Sequence, residues 1–339
     1  MTWWKPEIFD QKRGYLLERA ALMRKIRQFF DENGFLEVET PALQVSPGME
    51  THIHAFKTRY LARDLTPIGD FYLHTSPEFA MKKLLVAGLP QIYQICHVFR
   101  NAETGRLHSP EFTMLEWYRT GADYRTIMKD CENLLRTLGA PKLIHKGQEC
   151  DPFAPWQYLT VAEAFRDYAG IDLAGVLEDT TGLRKAAEKA GIRTTDTDRW
   201  DDVFFAVMAE KIEPFLGMDV PCILHDYPVS MASLSRPIGN GFAERFELYV
   251  CGIELANAFT ELTDAKQQRK NYEAEVKAKK EIYGEQYPVD EDFLAALEHG
   301  MPEAGGIALG IDRLIMLATG ADTIDQILWT GSLSAKLSG

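Results

Sequence analysis

Two strand-like runs, residues 245–250 and 253–261, are separated only by Cys251-Gly252. A two-residue connection joins antiparallel strands, because parallel strands need a crossover of a dozen residues or more. The hairpin fixes a local register in which Tyr249 faces Glu254 and Glu247 faces Ala256. It is also the most acidic structured stretch of the chain: Arg245-Phe-Glu-Leu-Tyr-Val-Cys-Gly-Ile-Glu-Leu-Ala-Asn-Ala-Phe-Thr-Glu261. In that register Glu247 and Glu254 share one face. Strict alternation sends Asn257, Phe259 and Glu261 to the other, so a β-bulge near 255–257 is required if all five are to serve one pocket. An edge strand with its acids facing water is the alternative.

Around this hairpin the spacing of apolar residues predicts the remaining elements. Leu22, Met23, Ile26, Phe29 and Phe30 lie at helical intervals, Asn33-Gly34 offers a left-handed stop, and residues 35–39 read as a strand closing on Pro41. A short strand at 71–73 leads through Thr75-Ser76-Pro77-Glu78 into a helix over 79–87. Strand-like runs at 91–99 and 111–118 flank a polar loop. The stretch from about 120 to 225 reads as mostly helical and 273–283 as a charged helix. The chain closes with a strand at 306–309 and a helix at 313–318 stopped by Gly320. Strands clustered apart from helices predict an α+β fold, a mainly antiparallel sheet flanked by helices. No repeat, low-complexity tract or linker divides the chain. Residues 1–339 read as a single domain with a mostly helical insertion at about 120–235.

The 339 residues contain no apolar run near the ~20 needed to span a bilayer, and the start lacks the pattern of a signal peptide. These features predict a cytoplasmic protein without membrane partners. The five cysteines are scattered and never spaced as CxxC, which argues against a disulfide framework and a structural zinc site. A formal net charge of −13 counts against general nucleic-acid binding, tRNA included.

Three further constellations carry candidate chemistry. In Glu111-Phe-Thr-Met-Leu-Glu-Trp-Tyr118, alternation puts Phe112, Met114, Glu116 and Tyr118 on one face. The ring and the carboxylate stand about 13 Å apart, a spacing that suits a base stacked at one end and an amine held at the other. Arg100, Arg106 and His108 surround the preceding turn, where guanidinium forks match phosphate oxygens. Gly305-Gly-Ile-Ala-Leu-Gly-Ile-Asp-Arg-Leu314 is a short strand, a tight turn and a helix opening on Asp312-Arg313, a place that favours phosphate. In the hairpin, Glu247 and Glu254 have the arrangement for Mg²⁺ on a triphosphate, since that ion takes one or two carboxylates plus phosphate oxygens.

In this order the pieces resemble the three signature motifs of class II aminoacyl-tRNA synthetases, over residues 12 to 328. The helix and strand ending at Pro41 are similar to motif 1, the dimer-forming element. Phe99-Arg-Asn101 through Tyr118 is similar to motif 2, and residues 306–313 to motif 3. Pro110-Glu-Phe-Thr-Met-Leu-Glu116 and Asn257-Ala-Phe-Thr-Glu-Leu-Thr-Asp264 are close to the lysyl-tRNA synthetase pattern. The resemblance implies ATP and Mg²⁺, a homodimer, and a set of roles. Arg100 would contact the α-phosphate, with Phe112 and Arg313 sandwiching the adenine. Asn101, Ala102, His108, Ser109, Leu255 and Gly310 would complete the ATP site, and Glu247 and Glu254 would hold Mg²⁺. Ser76, Pro77, Glu78, Glu116, Tyr118, Asn257, Phe259, Glu261 and Ala308 would form the lysine pocket.

Two features turn the resemblance toward a particular branch. The catalytic core begins almost at residue 1, leaving no room for the N-terminal OB-fold domain that reads the anticodon. Ala308 stands where lysyl-tRNA synthetases carry glycine beside the amino-acid pocket. Both features, with Gly-Ile-Glu-Leu-Ala-Asn257 and Leu-Glu-Trp-Tyr-Arg119, resemble the paralogues that attach lysine or (R)-β-lysine to translation elongation factor P. The chain departs from the family at Ala102, where glutamate is usual and Glu103 stands next door, and at Ser109 and Ala258, in place of asparagine and glycine. The tail after Trp329 resembles nothing informative. Two alternatives stay open: a truncated synthetase charging tRNA or another acceptor, and a silent ATP-binding paralogue with a regulatory role.

Overall fold

The computed structural model describes residues 3–330, so the tail at 331–339 lies outside it. The first helix, α1 (Pro6–Glu32), starts with proline at its N1/N2 position and ends at Asn33 with Gly34 at φ +76°, the expected left-handed stop. Its buried face, Leu16, Arg19, Leu22, Ile26, Phe29 and Phe30, lies on one helical stripe. Phe30 stacks on Tyr93 at 4.5 Å and meets Phe35 edge-on at 5.0 Å, which fastens α1 to the sheet.

The main sheet runs β1 (Leu36–Glu37), β2 (Gln91–Phe99), β3 (Glu111–Thr120), β4 (Gln157–Thr160), β5 (Cys222–Pro228), β6 (Phe242–Val250), β7 (Ile253–Thr260) and β8 (Ala304–Gly310) along the chain. Across the sheet the order is β1-β2-β3-β8-β7-β6-β5-β4, and a short strand, Pro237–Gly239, pairs with β6. The β1/β2 and β4/β5 pairs are parallel; the others are antiparallel. A separate three-stranded sheet is formed by Leu43–Gln44, Phe56–Leu61 and Pro67–Leu73.

One face of the main sheet is fully covered. Leu115, Trp117, Phe246, Leu248, Ala258, Ile307 and Leu309 point into a core shared with α1, α3 (Tyr124–Leu138) and the C-terminal helix α8 (Ile311–Thr319). The opposite face is covered at both ends. At one end lie α2 (Glu78–Val86), α6 (Ala265–Tyr283) and α7 (Glu291–Gly300), through Phe79, Leu85, Tyr272, Phe293 and Leu297. At the other lie helices of the 120–235 stretch, through a cluster of Leu183, Phe204, Val207, Cys222, Leu224 and Tyr249. The middle of that face is left open.

The stretch at 120–235 contains the expected helices, α4 (Thr180–Lys189) and α5 (Trp200–Val207) among them. It also supplies β4 and β5 to the main sheet, which the helical reading missed. Cys222, Ile223 and Leu224 are buried on both faces of the sheet and so read as a continuous apolar run without alternation. The expected charged helix at 273–283 begins earlier, at Ala265, where Asp264 accepts from the Lys266 and Gln267 amides.

A buried ion pair ties the sequence motifs together. Arg19 of α1 donates to Asp312 Oδ1 at the start of α8 (2.6 Å) and to Thr113 Oγ1 of β3 (2.9 Å), and the Thr113 amide donates to Asp312 Oδ2 (2.9 Å). Both charged side chains are buried, so removing one leaves the other uncompensated. Arg19→Ala is expected to lower unfolding stability by roughly 3–5 kcal/mol. A urea titration checks this, and a shift of the midpoint within experimental error would contradict it.

Candidate active site

The hairpin turn at Cys251-Gly252 has φ of +52° and +71°, the two left-handed residues of a type I′ turn, and Gly252 accepts that conformation without a Cβ penalty. Tyr249 pairs with Glu254 as expected, but Glu247 pairs with Asn257 and not with Ala256. The register shifts between Leu248 and Tyr249, so β7 carries one extra residue at Leu255. This is the bulge that the sequence required. It returns Asn257 and Phe259 to the face of Glu247 and Glu254.

That face is the floor of a cleft of about 850 Å³. Across the strands, Asn257 pairs with Ala308 and Ala308 with Glu116, so the alanine methyl lies between an amide and a carboxylate. Gly306 pairs with Tyr118 in the next layer. A Cβ on Gly306 would come within 2.2 Å of Glu261 Oε1 and 2.4 Å of the Tyr118 ring, so no larger residue fits there.

Of the residues singled out from sequence, Ser76, Glu78, Arg100, His108, Ser109, Phe112, Glu116, Tyr118, Glu247, Glu254, Leu255, Asn257, Phe259, Ala308, Gly310 and Arg313 line this cleft. Four do not. Asn101 is drawn off by backbone pairing with His54 (2.7 Å), and Ala102 follows in a left-handed turn at φ +62°. Pro77 caps α2 and lines a small neighbouring hollow. Glu261 lies on the cleft side of the sheet, over Gly306, but is buried there and ion-paired to Lys82 of α2.

At one end of the cleft, Arg313 is oriented by three contacts. Its Nη1 donates to the Glu254 carbonyl oxygen (2.7 Å), its Nε to the Leu107 carbonyl oxygen (3.4 Å), and its Nη2 to His108 Nε2 (2.7 Å). Burial and the charges of Arg313 and Arg100 hold His108 below the ordinary histidine pKa, which keeps the ring neutral and able to accept. The Arg100 guanidinium lies over the Phe112 ring at 5.3 Å and stands 4.0 Å from Glu103. This end offers two guanidinium groups and an aromatic face.

Beside it, Glu247 accepts from Tyr227 (2.5 Å), Tyr249 (2.7 Å) and Arg245 (2.6 Å). Glu254 faces the cleft, and desolvation together with the Glu247 charge pushes its pKa up to about 7. Two adjacent carboxylates, one of them destabilised by the other's charge, fit a hard divalent cation shared with phosphate oxygens.

At the far end, Glu116 accepts from Ser76 (2.5 Å) and Tyr118 (2.8 Å). Desolvation, with Glu78 nearby, pushes its pKa up to about 8. Glu261 is likewise raised to about 8, first by burial. The end therefore holds three carboxylates, a strong attractor for ammonium groups.

Sequence reasoning missed Lys82, Arg245 and the insertion residues that overhang the cleft, including Trp200, Asp201 and Phe205. Arg245 was legible, because it lies two residues before Glu247 on the same strand face. Lys82 lies four residues after Glu78 on a helix, which also places them together. Nothing local marked the insertion residues.

The chain's family follows from comparison. The sequence model of tRNA synthetases class II (D, K and N) matches residues 10–330. The chain belongs to this class II family. Among the similar members is the elongation factor P–(R)-β-lysine ligase of Klebsiella pneumoniae (strain 342), 40% identical over 318 residues, covering 92% of this chain and 93% of that protein. The protein of the same name from Pectobacterium carotovorum subsp. carotovorum (strain PC1) is 39% identical over 332 residues, covering 96% and 97%. This class II chain has an α+β fold with a mainly antiparallel sheet, and no helix among its described residues is long and apolar enough to cross a membrane.

An ammonium-bearing ligand at the acidic end selects the ionised form of Glu116, whose proton is held up to about pH 8. Affinity for lysine is therefore expected to rise up to about tenfold per pH unit between about pH 6 and 8, then level off. Glu116→Gln should flatten that slope. Calorimetric titration across pH reads it, and a flat wild-type profile would contradict the assignment.

Proposed function

We propose that this protein activates lysine or (R)-β-lysine with ATP and transfers it to the ε-amine of a lysine on translation elongation factor P. The observation that carries this reading is the single cleft, floored by one sheet face, that has Arg100, Phe112 and Arg313 at one end, Glu247 and Glu254 beside them, and Glu78 and Glu116 at the other. Membership of the class II family supports ATP use, and the name of the relatives supports the acceptor.

The amino acid would enter with its ammonium groups toward Glu78, Glu116 and Tyr118 and its carboxylate toward Arg100. ATP would stack its base between Phe112 and Arg313, the latter held flat by His108 and the Glu254 carbonyl. Glu247 and Glu254 would hold Mg²⁺, which when bound neutralises charge on the phosphate oxygens. The substrate carboxylate oxygen bonds to the α-phosphorus as the bond to the bridging oxygen breaks, releasing pyrophosphate. Arg100 offsets the negative charge that develops on the α-phosphate. The acceptor amine then attacks the carbonyl carbon of the adenylate, AMP leaves, and the amine gives up a proton. Positioning and electrostatics suffice, and no nucleophile from the chain enters the balance.

Ala308 adds a methyl to the floor between Asn257 and Glu116, where it shapes the space for the substrate's main-chain end. The same reading includes a homodimer, supported by exposed Leu17 on α1 and exposed Leu36, Leu43 and Val45 in the segment that follows it. It also places the protein in the cytoplasm and gives tRNA no part as acceptor.

One competition tests the proposal. Enzyme, Mg-ATP, lysine or (R)-β-lysine, total tRNA and elongation factor P are mixed, and each acceptor is weighed by mass spectrometry. The expected outcome is a lysyl-sized gain on the factor and none on tRNA, with the preferred isomer giving the faster gain. Gain on tRNA alone, or on neither, would overturn it.

A further inference from the structure

The acidic end of the cleft contains a positive charge of its own. Lys82 lies one helical turn after Glu78 in α2, a spacing usually found on exposed helix faces. Here the lysine side chain is only 1% exposed, and lysine is almost never buried without a partner. Its ammonium ion-pairs with Glu78 Oε1 on one side and with Glu261 Oε2 on the other. The faces of Phe259 and Phe293 complete its surroundings, at 5.2 and 6.0 Å from the nitrogen to the ring centres.

The two carboxylates it joins differ in position. Glu78 lines the cleft, whereas Glu261 is buried beside it, over Gly306 and against the Tyr118 ring, and its Oε1 has no hydrogen-bond partner. The charged and titratable groups that face this cluster are Glu78 from α2, Glu116 and Tyr118 from β3, Glu261 from the end of β7 and Glu50 from the loop between the first two strands of the three-stranded sheet. Tyr272 of α6 is tied to Ser46 and the Pro288 carbonyl, and α7 contributes only apolar side chains here. So many carboxylates in one dry pocket repel one another, and without an internal cation some must take up protons.

We infer that Lys82 is a positioning residue of the amino-acid site: its ammonium ties Glu78 to Glu261 and sets the charge that the pocket presents to an ammonium-bearing substrate. The inference rests on the reading of this end as the amino-acid pocket. Burial alone would lower the lysine's pKa, but Glu261 and Glu78 more than reverse that, so the cation persists through the neutral range. With it in place, Glu78 keeps one oxygen on Lys82 and presents the other to the cleft. Removing it frees the Glu78 side chain and lets the pair of carboxylates hold a proton that a cationic ligand must displace.

The test is calorimetric, in two buffers of different ionisation enthalpy, on wild-type protein and on Lys82→Met, with lysine and ATP titrated separately. Lys82→Met is expected to bind lysine about tenfold more weakly and to release about one more proton per lysine bound, while its ATP affinity stays at the wild-type value. Lys82→Arg, which keeps the charge, should return proton release to the wild-type value. Lys82→Gln retains amide donors for both carboxylates and supplies the same comparison if methionine is not tolerated. Wild-type lysine affinity and proton release, in a Met or Gln variant that binds ATP normally, would overturn the inference. Wild-type protein that binds ATP but not lysine or (R)-β-lysine would instead overturn the reading of the pocket.

Discussion

The single extra residue at Leu255 is the constraint on which the cleft depends. A strand presents alternate side chains to one face, so without a bulge Glu254 and Asn257 would point in opposite directions. With it, the acids near the hairpin turn and the polar groups further along β7 share one surface with Arg245 and Glu247 of β6. The adjacent strands continue that surface in register, through Ala308 of β8 and Glu116 of β3. One local irregularity thus joins the guanidinium end, the paired carboxylates and the acidic end into a continuous floor.

That floor is held from beneath. The covered face packs Trp117, Leu115, Phe246 and Ile307 against α1, α3 and α8, and the Arg19–Asp312–Thr113 network locks α8 to β3 in the same layer. Arg313 follows Asp312 directly, so the buried pair that fixes the start of α8 also sets where the Arg313 guanidinium emerges into the cleft. A charge network on one side of the sheet therefore positions a binding group on the other.

Much of this was legible in the chain. Alternation in residues 111–118 placed Phe112, Glu116 and Tyr118 on one face, and the Cys251-Gly252 turn fixed the hairpin from two residues. The need for a bulge near 255–257 followed from counting, but the pairing of Glu247 with Asn257 did not, because it depends on which residue there is the extra one. Ala102 and Asn101 were drawn into the site by analogy, whereas a backbone bridge to His54 and a left-handed turn take them out of the cleft. Glu261 was read as a cleft residue from the motif, with a bulge to bring it to that face, and it does lie on that face, over Gly306. What closes it off from the cleft is the buried ion pair with Lys82, a partner on a distant helix that no strand pattern specifies. The strand at 222–228 escaped notice for a related reason, since a strand buried on both faces loses the alternation that identifies it, and its edge partner at 157–160 is only four residues long.

The account's central claim is that one sheet face holds an aminoacyl-adenylate from end to end, and the most direct measurement is a crystal structure with a sulfamoyl analogue of lysyl-adenylate. The account predicts the adenine between Phe112 and Arg313, the sulfamoyl group at Arg100, and a lysyl ammonium within hydrogen-bond distance of Glu78 or Glu116. An analogue bound outside the cleft, or bound with its amino-acid end away from those carboxylates, would contradict it.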